Sequence, residues 1–171
     1  MIEFVLGGKS MKKKIILLTS LFFVLIAFTA CKTREPEREP FPADKVKQKI
    51  NAYMFWGDGC PHCESAHKFF KTIEKEYANC YQLVDFETWK IKDHIPLMEK
   101  VAKHFEIEEP GVPLIVIGDK HYSGYAESLN DEIIQTLIDN CAGDDYKDIV
   151  KEKQDELAKE AKKAEEAAKK K

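Results

Sequence analysis

The chain has 171 residues, with 27 Lys and Arg against 30 Asp and Glu and a net charge of −3. Between residues 43 and 143 the balance shifts to 11 basic against 17 acidic side chains, a net of −6, which argues against nucleic acid as a partner. About 100 residues have the composition of a folded domain, enough for one modest core.

The N-terminus reads as an export signal. Lys12-Lys13-Lys14 is a basic start, and the apolar stretch Ile15 to Ala30 ends at Cys31. That stretch falls short of the roughly 20 residues of a membrane helix and suits the apolar part of a signal peptide. Met11 directly precedes the lysines and is an alternative start. Phe28-Thr29-Ala30-Cys31 resembles a bacterial lipobox, with Phe28 where leucine is usual, and makes Cys31 the expected lipidation site. The alternatives are a simple signal peptide with Cys31 as a bystander thiol and a retained signal anchor. Residues 1–31 are therefore assigned to a lipoprotein-type signal peptide. Residues 32–45 follow as a tether, since Lys32 to Pro42 holds three prolines and six charges and cannot bury a core.

Ile50 to Trp56 is rich in β-formers between turn signals and predicts a buried strand. Gly57-Asp58-Gly59 is a turn, and Cys60-Pro61-His62-Cys63 opens a helical pattern carried to Tyr77 by Ala66, Phe69, Phe70 and Ile73. A second strand is expected over Tyr81 to Phe86, and a second helix over Asp93 to Phe105. Gly111-Val112-Pro113 leads into a third strand, Leu114 to Ile117, and Gly118-Asp119 turns into a fourth, His121 to Tyr125. Leu129 to Asn140 is a closing helix with Gly143 as its stop. The order is β-α-β-α-β-β-α. From Asp144 to Lys171 there are nine acids and nine lysines, which predicts a solvated helical or disordered tail. In that tail Tyr146, Ile149 and Val150 are candidates to pack one or two turns onto the domain.

The cysteines carry the chemistry. Two thiols separated by two residues at a helix start can close into a disulfide or open again. The helix dipole and unpaired N–H groups there favour a thiolate. Setting aside Cys31, Cys60 and Cys63 leaves Cys80 and Cys141, an even remainder that suggests a structural disulfide in an oxidising compartment. Two buried free thiols are the other reading.

Three features together resemble the thioredoxin superfamily over roughly residues 46–142. They are the CPHC motif at the first strand-to-helix junction, the aromatic pair Phe55-Trp56 before it, and Gly111-Val112-Pro113 ahead of a strand and hairpin. The resemblance implies an α/β thioredoxin-like fold over residues 46–143, a central mixed sheet of about four strands flanked by helices. It also implies a cis-proline loop at Pro113. In such a fold the first and last helices share a sheet face, so Cys80 and Cys141 fall near one another. Pro61-His62 is the dipeptide of Dsb-type oxidases, but Pro113 follows Cys60 by only 53 positions, too few for the helical insertion those enzymes carry. Met54 occupies the place where thioredoxins and Dsb oxidases usually bury an acid.

The expected function is a membrane-tethered, extracytoplasmic thiol–disulfide oxidoreductase, with oxidation or isomerisation favoured over reduction. Cys60 is the candidate nucleophile, exposed at the helix start, and Cys63 the resolving thiol. Pro61 and His62 complete the motif, His62 offering a hydrogen bond or a positive charge to the thiolate. Val112, Pro113 and Trp56 are candidates for substrate contact. No cofactor is expected beyond the Cys60–Cys63 disulfide itself, and no metal. His67, His94, His104 and His121 match no zinc spacing and read as surface residues. Trp89 has no assignable role. The expected partners are protein thiols and disulfides, a membrane redox protein and, through the lipid, the outer face of a bacterial membrane; the protein is expected to be a monomer. The alternatives are a metal-binding module or metallochaperone using the same two cysteines, and a redox-dead scaffold.

Overall fold

The computed structural model describes residues 39–170. The expected signal peptide, Cys31 and the first part of the expected tether lie outside the described residues. Four strands, β1 (Ile50–Trp56), β2 (Tyr81–Glu87), β3 (Leu114–Ile117) and β4 (Lys120–Ser123), form one sheet in the order β2-β1-β3-β4. β2 runs parallel to β1, whereas β3 is antiparallel to both β1 and β4. Four helices, α1 (Pro61–Tyr77), α2 (Ile95–His104), α3 (Asn130–Ala142) and α4 (Ile149–Lys169), flank it. The expected element order holds, and the sheet topology is that of the thioredoxin-like fold.

Alternation along β1 builds two cores. Ile50, Ala52 and Met54 face one side, where they meet Ala66, Phe70 and Ile73 of α1 and Ile133 and Leu137 of α3. Tyr53 and Phe55 face the other, against Leu97, Met98 and Val101 of α2 and Val150 of α4. β3 is buried at all four positions because both faces of this inner strand are covered. Cys80 and Cys141, at the ends of the turn after α1 and of α3, are both fully buried and joined as a disulfide with Cα atoms 5.3 Å apart.

Three differences from the expected layout bear on the packing. β4 ends at Ser123, because Gly124 takes a positive φ of 88° and turns Tyr125 back into the first core. The packed domain begins earlier than residue 46. Phe41 stacks on Tyr77 with ring centres 5.9 Å apart, and its N–H donates to the Glu76 carbonyl. The third is the C-terminal segment, expected as a helical or disordered tail, which forms one 21-residue helix whose contact with α2 extends past the expected Ile149 and Val150. Ile149 and Val150 are buried, and Leu157 adds a third apolar contact. Lys100 of α2 reaches Glu160 at 2.6 Å and Glu156 at 3.4 Å.

Asp148 starts α4 as its N-cap, accepting the Lys151 N–H at 3.0 Å. It also accepts from the Tyr53 hydroxyl at 3.0 Å and from Asn51 Nδ2 at 2.8 Å. Tyr146 closes the cluster, its hydroxyl donating to the Asn51 carbonyl at 3.2 Å. Burial, reinforced by the Asp148 carboxylate, holds the Tyr53 phenol above its ordinary range; burial does the same to Tyr146. A phenol whose pKa is raised by folding supports the fold below its unfolded value of about 10 and ceases to do so as pH climbs through the folded value. The urea midpoint is therefore expected to fall as pH rises past about 10, and Tyr53→Phe to lessen that fall. An alkaline slope identical in wild type and variant would exclude Tyr53 as a source.

Candidate active site

The motif sits where β1 ends and α1 begins, and local chemistry places each part. Gly59, with φ 83°, closes the turn in a conformation that favours glycine. The Cys60 N–H donates to the Gly57 carbonyl at 3.1 Å. Cys60 is the N-cap of α1 and Pro61 its first residue, where proline's fixed φ and missing N–H cost nothing. The Cys63 N–H points at Cys60 Sγ from 3.2 Å. Cys60 and Cys63 are joined as a disulfide, with Cα atoms 5.2 Å apart.

Cys60 is less open than expected, at 5% exposed against 1% for Cys63. The loop before β3 lies against it, with the Val112 carbonyl oxygen 3.8 Å from Cys60 Sγ. The Val112–Pro113 peptide bond is cis. The structure thus brings Cys60, Cys63, Val112 and Pro113 together, and leaves Pro61 and His62 exposed beside them. Met54 is fully buried in the first core, so no carboxylate stands at that position.

Trp56 is half-buried, its ring edge-on to His67 at 5.0 Å and its indole N–H enclosed. Its packing is that of a wall residue more than of a contact surface. Trp89 and Ile91, by contrast, are exposed large apolar side chains, at 50% and 47%. The Trp89 ring covers Gly57, where a Cβ would have no room. The residue without an assignable role is thus packed on the turn that leads to the motif.

Sequence reasoning also missed Glu87, 8% exposed at the end of β2. Its Oε1 accepts the N–H groups of Asp58 at 3.2 Å and Trp89 at 3.0 Å, and its Oε2 those of Lys90 at 2.7 Å and Ile91 at 2.8 Å. Desolvation pushes its pKa up, but the four N–H donors outweigh it and hold the carboxyl below the ordinary range.

The histidines are dispersed. His67 pairs with Asp85 at 3.3 Å, His94 Nδ1 stands 2.7 Å from the Glu87 carbonyl, and His104 and His121 pack on Phe105. Among the described residues no group of three or more His, Cys, Asp or Glu side chains is placed to hold a metal ion.

No family model matches the chain, and no curated protein matches it. Among solved structures it is similar to a glutaredoxin from Archaeoglobus fulgidus, at 25% identity over 58% of this chain and 98% of that one, with a TM-score of 0.41.

Proposed function

We propose that the protein is a thiol–disulfide oxidoreductase that exchanges disulfides with protein substrates through Cys60 and Cys63. It works outside the cytoplasm, tethered to the outer face of a bacterial membrane by a lipid on Cys31. The observation that carries the exchange chemistry is the pairing of the two cysteines at the first turn of α1, against the Val112–Pro113 loop.

In the oxidising direction a substrate thiolate attacks Cys60 Sγ, the Cys60–Cys63 bond breaks, and Cys63 leaves as a thiolate. A second substrate thiolate then attacks the substrate sulfur of the mixed disulfide and expels the Cys60 thiolate. The substrate has lost two electrons and the protein has gained them; a membrane redox partner removes them again. In the reverse direction the Cys60 thiolate attacks a substrate disulfide and Cys63 resolves the adduct. Val112 supplies backbone groups to an extended substrate segment lying across the cis-proline loop.

Oxidation or isomerisation is the favoured direction. Cys60 as a thiolate gains the Cys63 N–H and the start of the α1 dipole, and His62 is proposed to add a hydrogen bond or a positive charge. Whatever stabilises the reduced thiolate makes the disulfide a stronger oxidant. Equilibration with a glutathione buffer gives the Cys60–Cys63 reduction potential and tests this directly. A potential near about −120 mV supports an oxidant, and one near about −270 mV reverses the direction while leaving the chemistry in place. Stoichiometric tight metal in the reduced protein, with neither insulin reduction nor peptide oxidation, would instead favour a metal-binding module.

A further inference from the structure

The loop after β2 grips the turn before the motif. Because β1 and β2 are parallel, their carboxyl ends lie side by side, with Glu87 opposite Trp56. The Thr88 N–H and hydroxyl both donate to the Trp56 carbonyl, at 2.8 and 3.0 Å. Trp89 covers Gly57, and Lys90 pairs with the Asp58 carboxylate. Glu87 joins the two segments: three of its four donors belong to its own loop, and the fourth is the Asp58 N–H. Each residue from 56 to 58 is therefore held from the 87–90 loop, and Gly57 in turn accepts the Cys60 N–H.

We propose that Glu87 is a positioning residue for the exchange reaction, fixing the Gly57-Asp58-Gly59 turn and through it the backbone of Cys60 at the start of α1. With that backbone fixed, Cys60 Sγ stays in line with the Cys63 N–H, the donor that stabilises a thiolate. The inference rests on Cys60 being the reacting thiol. The alternative is a pure charge effect, and it has the opposite sign. A carboxylate acting only through space opposes the thiolate, so its removal makes Cys60 more acidic. A carboxylate acting through the turn supports the thiolate, so its removal makes Cys60 less acidic.

Two substitutions separate these effects. Glu87→Gln removes the charge and sets an amide, itself a donor, among four N–H groups that all need acceptors. Glu87→Asp keeps the charge but is one methylene too short to serve both segments. The measurement is the rate of Cys60 alkylation by iodoacetamide against pH in the reduced full-length chain, read on the Cys60 peptide, with a melting curve for each variant. Both variants are expected to move the profile to higher pH, so that the rate near about pH 6 falls several-fold while the plateau at high pH is unchanged. A profile displaced to lower pH in Glu87→Gln and unmoved in Glu87→Asp overturns the proposal in favour of charge alone. Unmoved profiles in folded variants overturn it in favour of a loop-stabilising role. Should Glu87→Gln fail to fold, Glu87→Asp decides by the same criterion. Wild-type protein that exchanges no disulfides would overturn the oxidoreductase reading instead, a result independent of these displacements.

Discussion

Serine at position 60 is expected to bring insulin reduction and peptide oxidation down to background, a loss of roughly three orders of magnitude or more. The asymmetry of the pair is the reason. Cys60 is the more exposed residue, its sulfur lies beside the Val112 carbonyl, and it receives the Cys63 N–H. Cys63 is one turn into α1 and essentially enclosed. An incoming protein thiol therefore meets Cys60 first. Cys63→Ser should fail differently, by leaving substrate covalently attached through Cys60, which a non-reducing gel detects. Substrate trapped instead on Cys63 in the Cys60→Ser protein would invert the two roles.

The second large effect concerns stability. Replacing Cys80 and Cys141 together by alanine is expected to cost about 2–4 kcal/mol, measured as a fall in the urea midpoint. The bond closes a loop of 61 positions, which limits the unfolded chain, and both sulfurs lie fully inside the first core. The backbone at both cysteines also holds the start of β1 and the segment before it. The Cys141 carbonyl accepts the N–H groups of Lys47 and Gln48, and the Cys80 carbonyl accepts that of Ile50. A variant that melts with the wild type would show the cross-link to be dispensable. Activity per folded molecule should survive, since Cys80 and Cys141 lie at the opposite end of α1 from Cys60.

What the sequence made readable is what local pattern encodes. β1 has the same bounds in sequence and structure because its β-formers lie between clear turn signals, and α1 because its apolar residues repeat at helical spacing from Cys63 to Tyr77. The position of CPHC between them follows at once. Glu87 was not readable, because its four partners are backbone N–H groups, which every residue except proline carries. Only the parallel register that sets Glu87 against Trp56 reveals it. The tail was readable in part: its helical form and the packing of Ile149 and Val150 are as expected, and only the reach of its contact was hidden. Spacing within one helix displays pairs such as Glu165 with Lys169, which do form at 2.6 Å. It cannot display Lys100 reaching across from α2 to Glu160. Phe41 was hidden by its neighbours, since one aromatic among prolines and charges looks like linker until Tyr77 is known to lie beneath it.

The contact of Phe41 with Glu76 and Tyr77 gives the domain a mechanical polarity. The chain enters at the far end of α1 from the motif, and a 17-residue helix spans about 25 Å. The Cys80–Cys141 bond lies at that same entry end, with Lys47 and Gln48 bound to its Cys141 backbone. The proposed anchor would therefore pull on the disulfide-braced end of the domain, while the reacting sulfurs lie at the opposite pole. In the proposed tethered arrangement the reacting sulfurs would lie about one helix length beyond the point where the chain enters the domain.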